Sequence, residues 1–209
     1  MTGAEGGPAP TGRHIRPAAA TDRAALYDIC VRTGASGSDA TGLYRYPDLL
    51  GDVFVGPYLE LEPEVSFVVD GQAGLEGYVL GAVDTAEFDR RCEGEWWPAK
   101  RRQYAAVAAP PESRDSWLLR WIQAPPTTPE FVADYPSHLH IDLLPSLQGG
   151  GWGRRLIDTL CAALETRGSH GVHLGVGADN ANAIGFYRHV GFVEIRADGA
   201  TLWMGRSFA

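Results

Sequence analysis

The chain has 209 residues, a formal charge of −8 and an apolar content of 44%, which suits one domain, or one domain with an insertion, with enough length for a full core. The acidic balance argues against a nucleic-acid surface and favours a basic, amine-bearing partner, and no apolar run approaches the ~20 residues of a membrane span. Cys30, Cys92 and Cys161 are far apart and odd in number, which reads as reduced thiols in a cytoplasmic protein, not a disulfide framework.

Residues 1–12 are rich in glycine, proline and alanine, so a disordered tail is expected there, not a signal peptide. Residues 13–209 are expected to form a single domain. His14-Ile15-Arg16-Pro17-Ala18 reads as a first strand. Thr21 is a good N-cap for a helix over Asp22 to Arg32, whose Ala25, Leu26, Ile29 and Cys30 share a face, with Gly34 ending it. Aromatic residues among proline and glycine in 35–63 suggest a short helix and an ordered loop. Val65 to Val69 and Leu75 to Val83 are two strands of a hairpin turned at 70–74. Gly77 and Gly81 inside the second strand predict close backbone approach or a bulge.

Residues 85–137 exceed a usual connection between strands. Helices are expected near Ala86–Cys92, Trp97–Ala106 and Ser116–Gln123, with Trp96, Trp97, Trp117 and Trp121 among them. One reading is an insertion packing its tryptophans on the domain edge. The other is a lid or wall over a site. Its arginines and Lys100 read either as a solvated face or as phosphate contacts.

Residues 138–192 parse as strand, glycine loop, helix, strand, helix. Leu139, Ile141 and Leu143 alternate with His138, His140 and Asp142, the period-two pattern of a half-buried strand. After Pro145 and the loop Gln148 to Gly153, a helix starts near Arg154. Leu156, Ile157, Leu160, Cys161 and Leu164 form its apolar face. Cys161 on that face reads as a core thiol, not a nucleophile. Gly168 is its expected stop. Val172, Leu174 and Val176 make a strand, Asn180 to Val190 a helix, and Gly191 its left-handed cap. Phe192 to Ile195 and Ala200 to Met204 are expected to be the last strands. This order implies an α/β sandwich with helices on both faces. A glycine loop opening a helix is either a flexible turn or an anion cradle, its N–H groups and the helix dipole aimed at one phosphate.

Gln148-x-x-Gly151-x-Gly153 resembles the Q/R-x-x-G-x-G/A signature of the GNAT superfamily of acyl-CoA-dependent N-acetyltransferases. Asn180-x-x-Ala183-x-x-x-Tyr187-x-x-x-Gly191-Phe192 is similar to the family's N-x-x-A-x-x-x-Y-x-x-x-G-F element, in the same order. Trp152 and the Gly149-Gly150 pair depart from the family's usual residues. More narrowly, Tyr46-Pro47-Asp48-Leu49, Gly51-Asp52-x-Phe54-Val55-Gly56-Pro57-Tyr58 and Gly77-Tyr78-x-Leu80-Gly81 resemble the acetyltransferase-like C-terminal domain of O-GlcNAcase and its bacterial relatives. No paired-carboxylate motif for glycoside hydrolysis stands out.

The resemblance implies a mixed, mostly antiparallel central sheet of about six to seven strands with helices on both faces. It implies an acetyl-CoA-dependent N-acetyltransferase that moves an acetyl group to a primary amine of a small-molecule or peptide acceptor, by direct attack in a ternary complex. By that resemblance the backbone at Leu143 and Leu144 binds the pantetheine arm and polarises the thioester. Gln148, Gly149, Gly150, Gly151, Trp152, Gly153 and Arg154 hold the pyrophosphate. Asn180 orients the pantetheine, and Tyr187 protonates the leaving thiolate; without the motif Tyr187 would read as a core aromatic. The base is not identified by the resemblance. His138, His140 and Asp142 project from one strand face, and Asp142 is a candidate base or water relay. The same H-x-H-x-D spacing could hold a metal, although acyl transfer from CoA needs none and none is expected. The alternative is a non-catalytic acetyltransferase-like module that binds a protein or peptide. The acceptor is not readable, and a homodimer is left open.

Overall fold

The structure, a computed structural model, describes residues 12–208. The expected tail 1–12 lies outside the described residues apart from Gly12. Seven strands make one sheet: β1 (His14–Pro17), β2 (Ser66–Gly71), β3 (Gly74–Ala82), β4 (Ser137–Leu143), β5 (Gly171–Gly177), β6 (Val193–Asp198) and β7 (Thr201–Ser207). Their spatial order is β1-β2-β3-β4-β5-β7-β6. Every pairing is antiparallel except β4 with β5. The hairpins β2–β3 and β6–β7 are local. The parallel seam in the middle needs a crossover, which a helix supplies.

One face of the sheet carries α1 (Arg23–Thr33), α2 (Pro47–Phe54), α3 (Gly56–Leu61), α4 (Thr85–Arg91), α5 (Trp97–Gln103) and α6 (Arg114–Gln123). The other carries α7 (Trp152–Thr166) and α8 (Ala181–His189). The alternation of β4 divides its side chains between these two layers. Leu139 joins Leu156, Ile157, Leu160 and Leu164 of α7. His138, His140 and Asp142 point to the α1–α6 side, where Tyr78 is fully buried. At ~25 cal/mol per Å² of apolar surface, this burial is the main stabilising term for both layers.

The start of α1 differs from the expected cap. Thr21 lies within a 3-10 turn (Ala20–Asp22), and the helix begins one residue late, at Arg23. The Asp22 carboxylate accepts the Ala19 N–H at 2.8 Å and pairs with Arg16 at 2.7 Å. An ionised acceptor makes the stronger bond and so outcompetes the Thr21 hydroxyl for control of the turn. Gly77 and Gly81 mark close approach: a Cβ there would lie 2.7 Å from Leu143 Cδ2 and 2.7 Å from Leu160 Cδ1 respectively. The β-bulge in this hairpin sits at Val69/Asp70 instead. Gly168 and Gly191 adopt φ of +88° and +92°, the left-handed stops their positions predict.

Between β3 and β4, α4 runs through a π-helical turn (Cys92–Trp96) into α5, where Pro98 lacks the N–H the α-ladder would need. Trp96 and Trp97 are buried, and Leu118 and Ile122 of α6 are fully so. Buried Asp52 of α2 binds this segment. Its carboxylate accepts from Tyr27 (2.8 Å), Lys100 Nζ (2.7 Å) and Tyr104 (2.7 Å), and its carbonyl accepts from Trp96 Nε1 (2.9 Å). The tryptophans are divided between two roles. Trp96 and Trp97 belong to the core of this face, while Trp117 is 45% exposed.

Candidate active site

The seam between β4 and β5 is where the sheet opens. The two strands pair only through Ser137 with Val172 and His138 with His173, at one end. Leu144 N–H donates to Glu76 O of β3 at 2.9 Å. By the alternation of an antiparallel ladder, Asp142 and His140 also spend their backbone groups on β3, and Ile141 and Leu143 turn theirs to the gap. From the other side, Ala178 N–H donates to Ala200 O, which turns the backbone of Gly175 and Gly177 the same way. Both glycines are exposed although β5 is an interior strand. The Gly177 carbonyl accepts the Asn180 N–H at 2.9 Å, and the remaining backbone groups of this interior gap can take an extended arm carrying amides of its own.

Leu144 was expected to bind through its backbone together with Leu143. Both of its groups are already used: its N–H by Glu76 and its carbonyl by Leu147 N–H at 2.9 Å. The Leu143 carbonyl receives Gln148 Nε2 at 3.4 Å. Gln148 thereby ties the loop to the end of β4.

Beyond the gap lies the loop before α7. Gly149 and Gly151 have φ of +73° and +75°, and a Cβ on either would meet nothing within 4 Å. Glycine is required there by the backbone conformation, and the space outside is open. The N–H groups of residues 149–154 close no hydrogen bond among the described residues. They sit at the positive end of a 15-residue helix, a ready anion site. Gly153 has a packing reason instead: a Cβ would lie 2.9 Å from Phe186 Cζ of α8. Arg155 stacks on the half-buried Trp152 ring, 3.9 Å from its centroid. Arg154 donates to His189 O at 2.8 Å and joins α7 to the end of α8.

Asn180 is the N-cap of α8, its Oδ1 accepting Ala183 N–H at 3.1 Å. That leaves its –NH₂ group. Seven residues on, or about two turns, the half-buried Tyr187 packs between Phe186 and Phe192, with ring centroids at 5.3 and 5.7 Å. Its hydroxyl makes no hydrogen bond among the described residues. Burial, and then the negative charge of Asp142, push its pKa up, so the group stays protonated and able to donate.

On the opposite face, Tyr78 O–H donates to Asp142 Oδ2 at 2.5 Å, and His140 Nε2 lies 3.1 Å from the same oxygen. Asp142 Oδ1 accepts nothing among the described residues. Cys30 Sγ completes a cluster with His140 and Asp142 whose donor atoms all lie within 4.8 Å of one another. The spacing would suit a metal. Burial, and then Asp142, raise the pKa of the Cys30 thiol, and Tyr78 already occupies one carboxylate oxygen. His138, the first residue of the H-x-H-x-D pattern, is closed off by Thr85 and Tyr58, each at 2.9 Å. Sequence reasoning missed Tyr78 and Cys30 as partners of Asp142. The only sequence signal would have been the cross-strand register Tyr78↔Asp142, which pairing, not pattern, sets.

The profile of the Acetyltransferase (GNAT) family matches residues 43–192. Rat protein O-GlcNAcase is 30% identical over 186 residues, covering 87% of this chain and 20% of that protein. The mouse protein is 29% identical over 184 residues, with the same coverage. The chain thus spans about a fifth of the length of the curated relatives it matches. Among solved structures, SsHAT has a TM-score of 0.89 and 41% identity, covering 95% of this chain and 99% of that one. The Salmonella typhimurium protein yncA, solved with its cofactor acetyl-CoA, shares the fold at a TM-score of 0.57 and 14% identity, covering 95% of each chain. No helix among the described residues is long and apolar enough to cross a membrane. With the profile covering the sheet from β2 to the end of α8, including the opened seam and the glycine loop, the chain belongs to the Acetyltransferase (GNAT) family.

Proposed function

We propose that this protein transfers an acetyl group from acetyl-CoA to a primary amine, within one domain formed by residues 13–209 and acting in the cytoplasm. The observation that carries the reading is the gap beyond His138, flanked by the free N–H groups of residues 149–154 on one side and the unpartnered Tyr187 hydroxyl on the other. In this reading the pyrophosphate lies on the loop from Gln148 to Gly153 and the pantetheine arm runs along Leu143, next to the Asn180 amide. The thioester carbonyl meets the Leu143 N–H, which stabilises the oxyanion as the amine attacks. The acceptor arrives from the Asp142 face and loses its proton to Asp142 or through it. Tyr187 protonates the departing thiolate. No step calls for a metal.

Calorimetry with acetyl-CoA tests the cofactor half. CoA release tests the other, measured with a lysine-containing peptide, an alkyl diamine, an aromatic ethylamine and an amino sugar. Failure to bind acetyl-CoA refutes the reading. It would leave a non-catalytic acetyltransferase-like module that binds a protein or peptide.

A further inference from the structure

Asp142 has unequal oxygens. Oδ2 receives the Tyr78 hydroxyl and faces His140 Nε2 at 3.1 Å, while Oδ1 has no partner among the described residues. His140 Nε2 is buried and closes no well-aligned hydrogen bond. An unprotonated Nε2 would place a second electron-rich atom 3.1 Å from the carboxylate. The nearby carboxylate favours the neutral tautomer that carries its proton on Nε2, beside Asp142 at 3.1 Å although not aligned on it. Its lone pair is then on Nδ1. That atom makes no hydrogen bond among the described residues, and the side chain keeps 29% of its surface exposed.

We infer that His140 is the base that takes the acceptor's proton, and that Asp142 is a positioning residue acting through it. This rests on the acyl-transfer reading above and resolves its choice between Asp142 as base and as relay. The ammonium form of the acceptor gives its proton to Nδ1, leaving a neutral amine and an imidazolium. The amine attacks the thioester, the C–S bond breaks as Tyr187 protonates the thiolate, the second proton on the nitrogen returns through water to Tyr187, and the imidazolium passes its own proton to water. Asp142 fixes the tautomer and stabilises the imidazolium. Tyr78 holds the carboxylate, and Phe54 of α2 stacks on the ring at 5.5 Å and 24°. The other titratable groups next to the pair are Tyr78 from β3, Cys30 from α1 and His138 on β4 itself, while Tyr187 of α8 packs in the opposite layer. Burial raises the pKa of Cys30 and lowers that of His138, and Asp142 is the carboxylate beside the His140 ring.

Two measurements test this. In the free protein, ¹⁵N NMR of histidine should show His140 protonated at Nε2 when neutral. Asp142→Asn should weaken that tautomer preference, since the carboxylate that favours a proton on Nε2 is gone. In the CoA-release assay, His140→Ala should lower turnover about 10²-fold. Added imidazole should restore part of it and pyrazole, of the same shape but barely basic, should not. A neutral ring protonated at Nδ1, or a tautomer unmoved by Asp142→Asn, overturns the inference. So does wild-type turnover in His140→Ala, or equal rescue by both azoles, which would mark a space-filling role. Wild-type protein that binds no acetyl-CoA, or acetylates no amine, refutes the acyl-transfer reading instead, while the NMR result still decides the His140–Asp142 coupling.

Discussion

Lowering the pH from 7 to 5 should destabilise this protein through His138. Its ring is buried in a chain of bonds that runs one way. Thr85 gives its hydroxyl proton to Pro136 O at 2.7 Å, so its oxygen accepts from His138 Nδ1 at 2.9 Å. His138 Nε2 is then the acceptor for Tyr58 O–H at 2.9 Å. A second ring proton would collide with that donor and place a charge among Phe88 and Tyr58 rings. Burial, with His173 and His140 nearby, pulls the His138 pKa down to about 3. A folded pKa below the unfolded value of about 6.5 means that the unfolded chain binds the extra proton first, so stability is lost as pH falls from 6.5 towards 3. At pH 5 the unfolded histidine is 1.5 units below its pKa, at about 1.4 kcal/mol per unit, so the loss is about 2 kcal/mol. The pKa of His173 is also lowered by burial and adds in the same direction. Urea unfolding followed by tryptophan fluorescence at pH 7, 6 and 5 measures the effect. His138→Gln, which keeps polar contacts but has no titrating ring, should remove about one proton of the slope between pH 6.5 and 5. A variant that loses as much stability as the wild type over that range would refute the argument.

Three other outcomes are expected. Tyr187→Phe keeps the ring between Phe186 and Phe192 and removes only the donor, so turnover should fall about 10²–10⁴-fold with acetyl-CoA affinity within a few-fold; unchanged turnover on a substrate limited by chemistry assigns the proton elsewhere. Gly151→Asp puts a carboxylate at the loop and forces a side chain onto φ +75°, so calorimetry should show no acetyl-CoA binding, at a stability cost of about 1–2 kcal/mol. Asp52→Ala leaves Lys100 and two tyrosine hydroxyls without their acceptor and should cost about 3–5 kcal/mol in thermal or urea unfolding; for the same reason, replacing residues 85–137 by a short linker should lose the fold, and a folded deletion protein would return that segment to the domain edge.

Some of this protein is written in one dimension. The two layers around β4 follow from alternation, because a strand's side chains must point to opposite faces whatever surrounds it. The loop before α7 was equally legible, since Gly149 and Gly151 sit at positive φ, a conformation local enough for residue type to report it. Gly168 and Gly191 announced their helix ends for the same reason. The cap of α1 was misread because Thr21 competes with an Asp22 tied to Arg16, and Arg16 lies on a strand the local sequence does not place. Tertiary structure alone decided three things. It opened β4 from β5 after His138, a matter of where two distant strands stop pairing. It set Tyr78 against Asp142 through the β3–β4 register, which a shift of one residue would have turned to the opposite face. And it sorted three like residues of β4 into different roles: His138 sealed by Thr85 and Tyr58, His140 half-open beside Asp142, and Asp142 holding one free oxygen. Spacing puts these side chains on one face, and only the elements packed above them give each a separate environment.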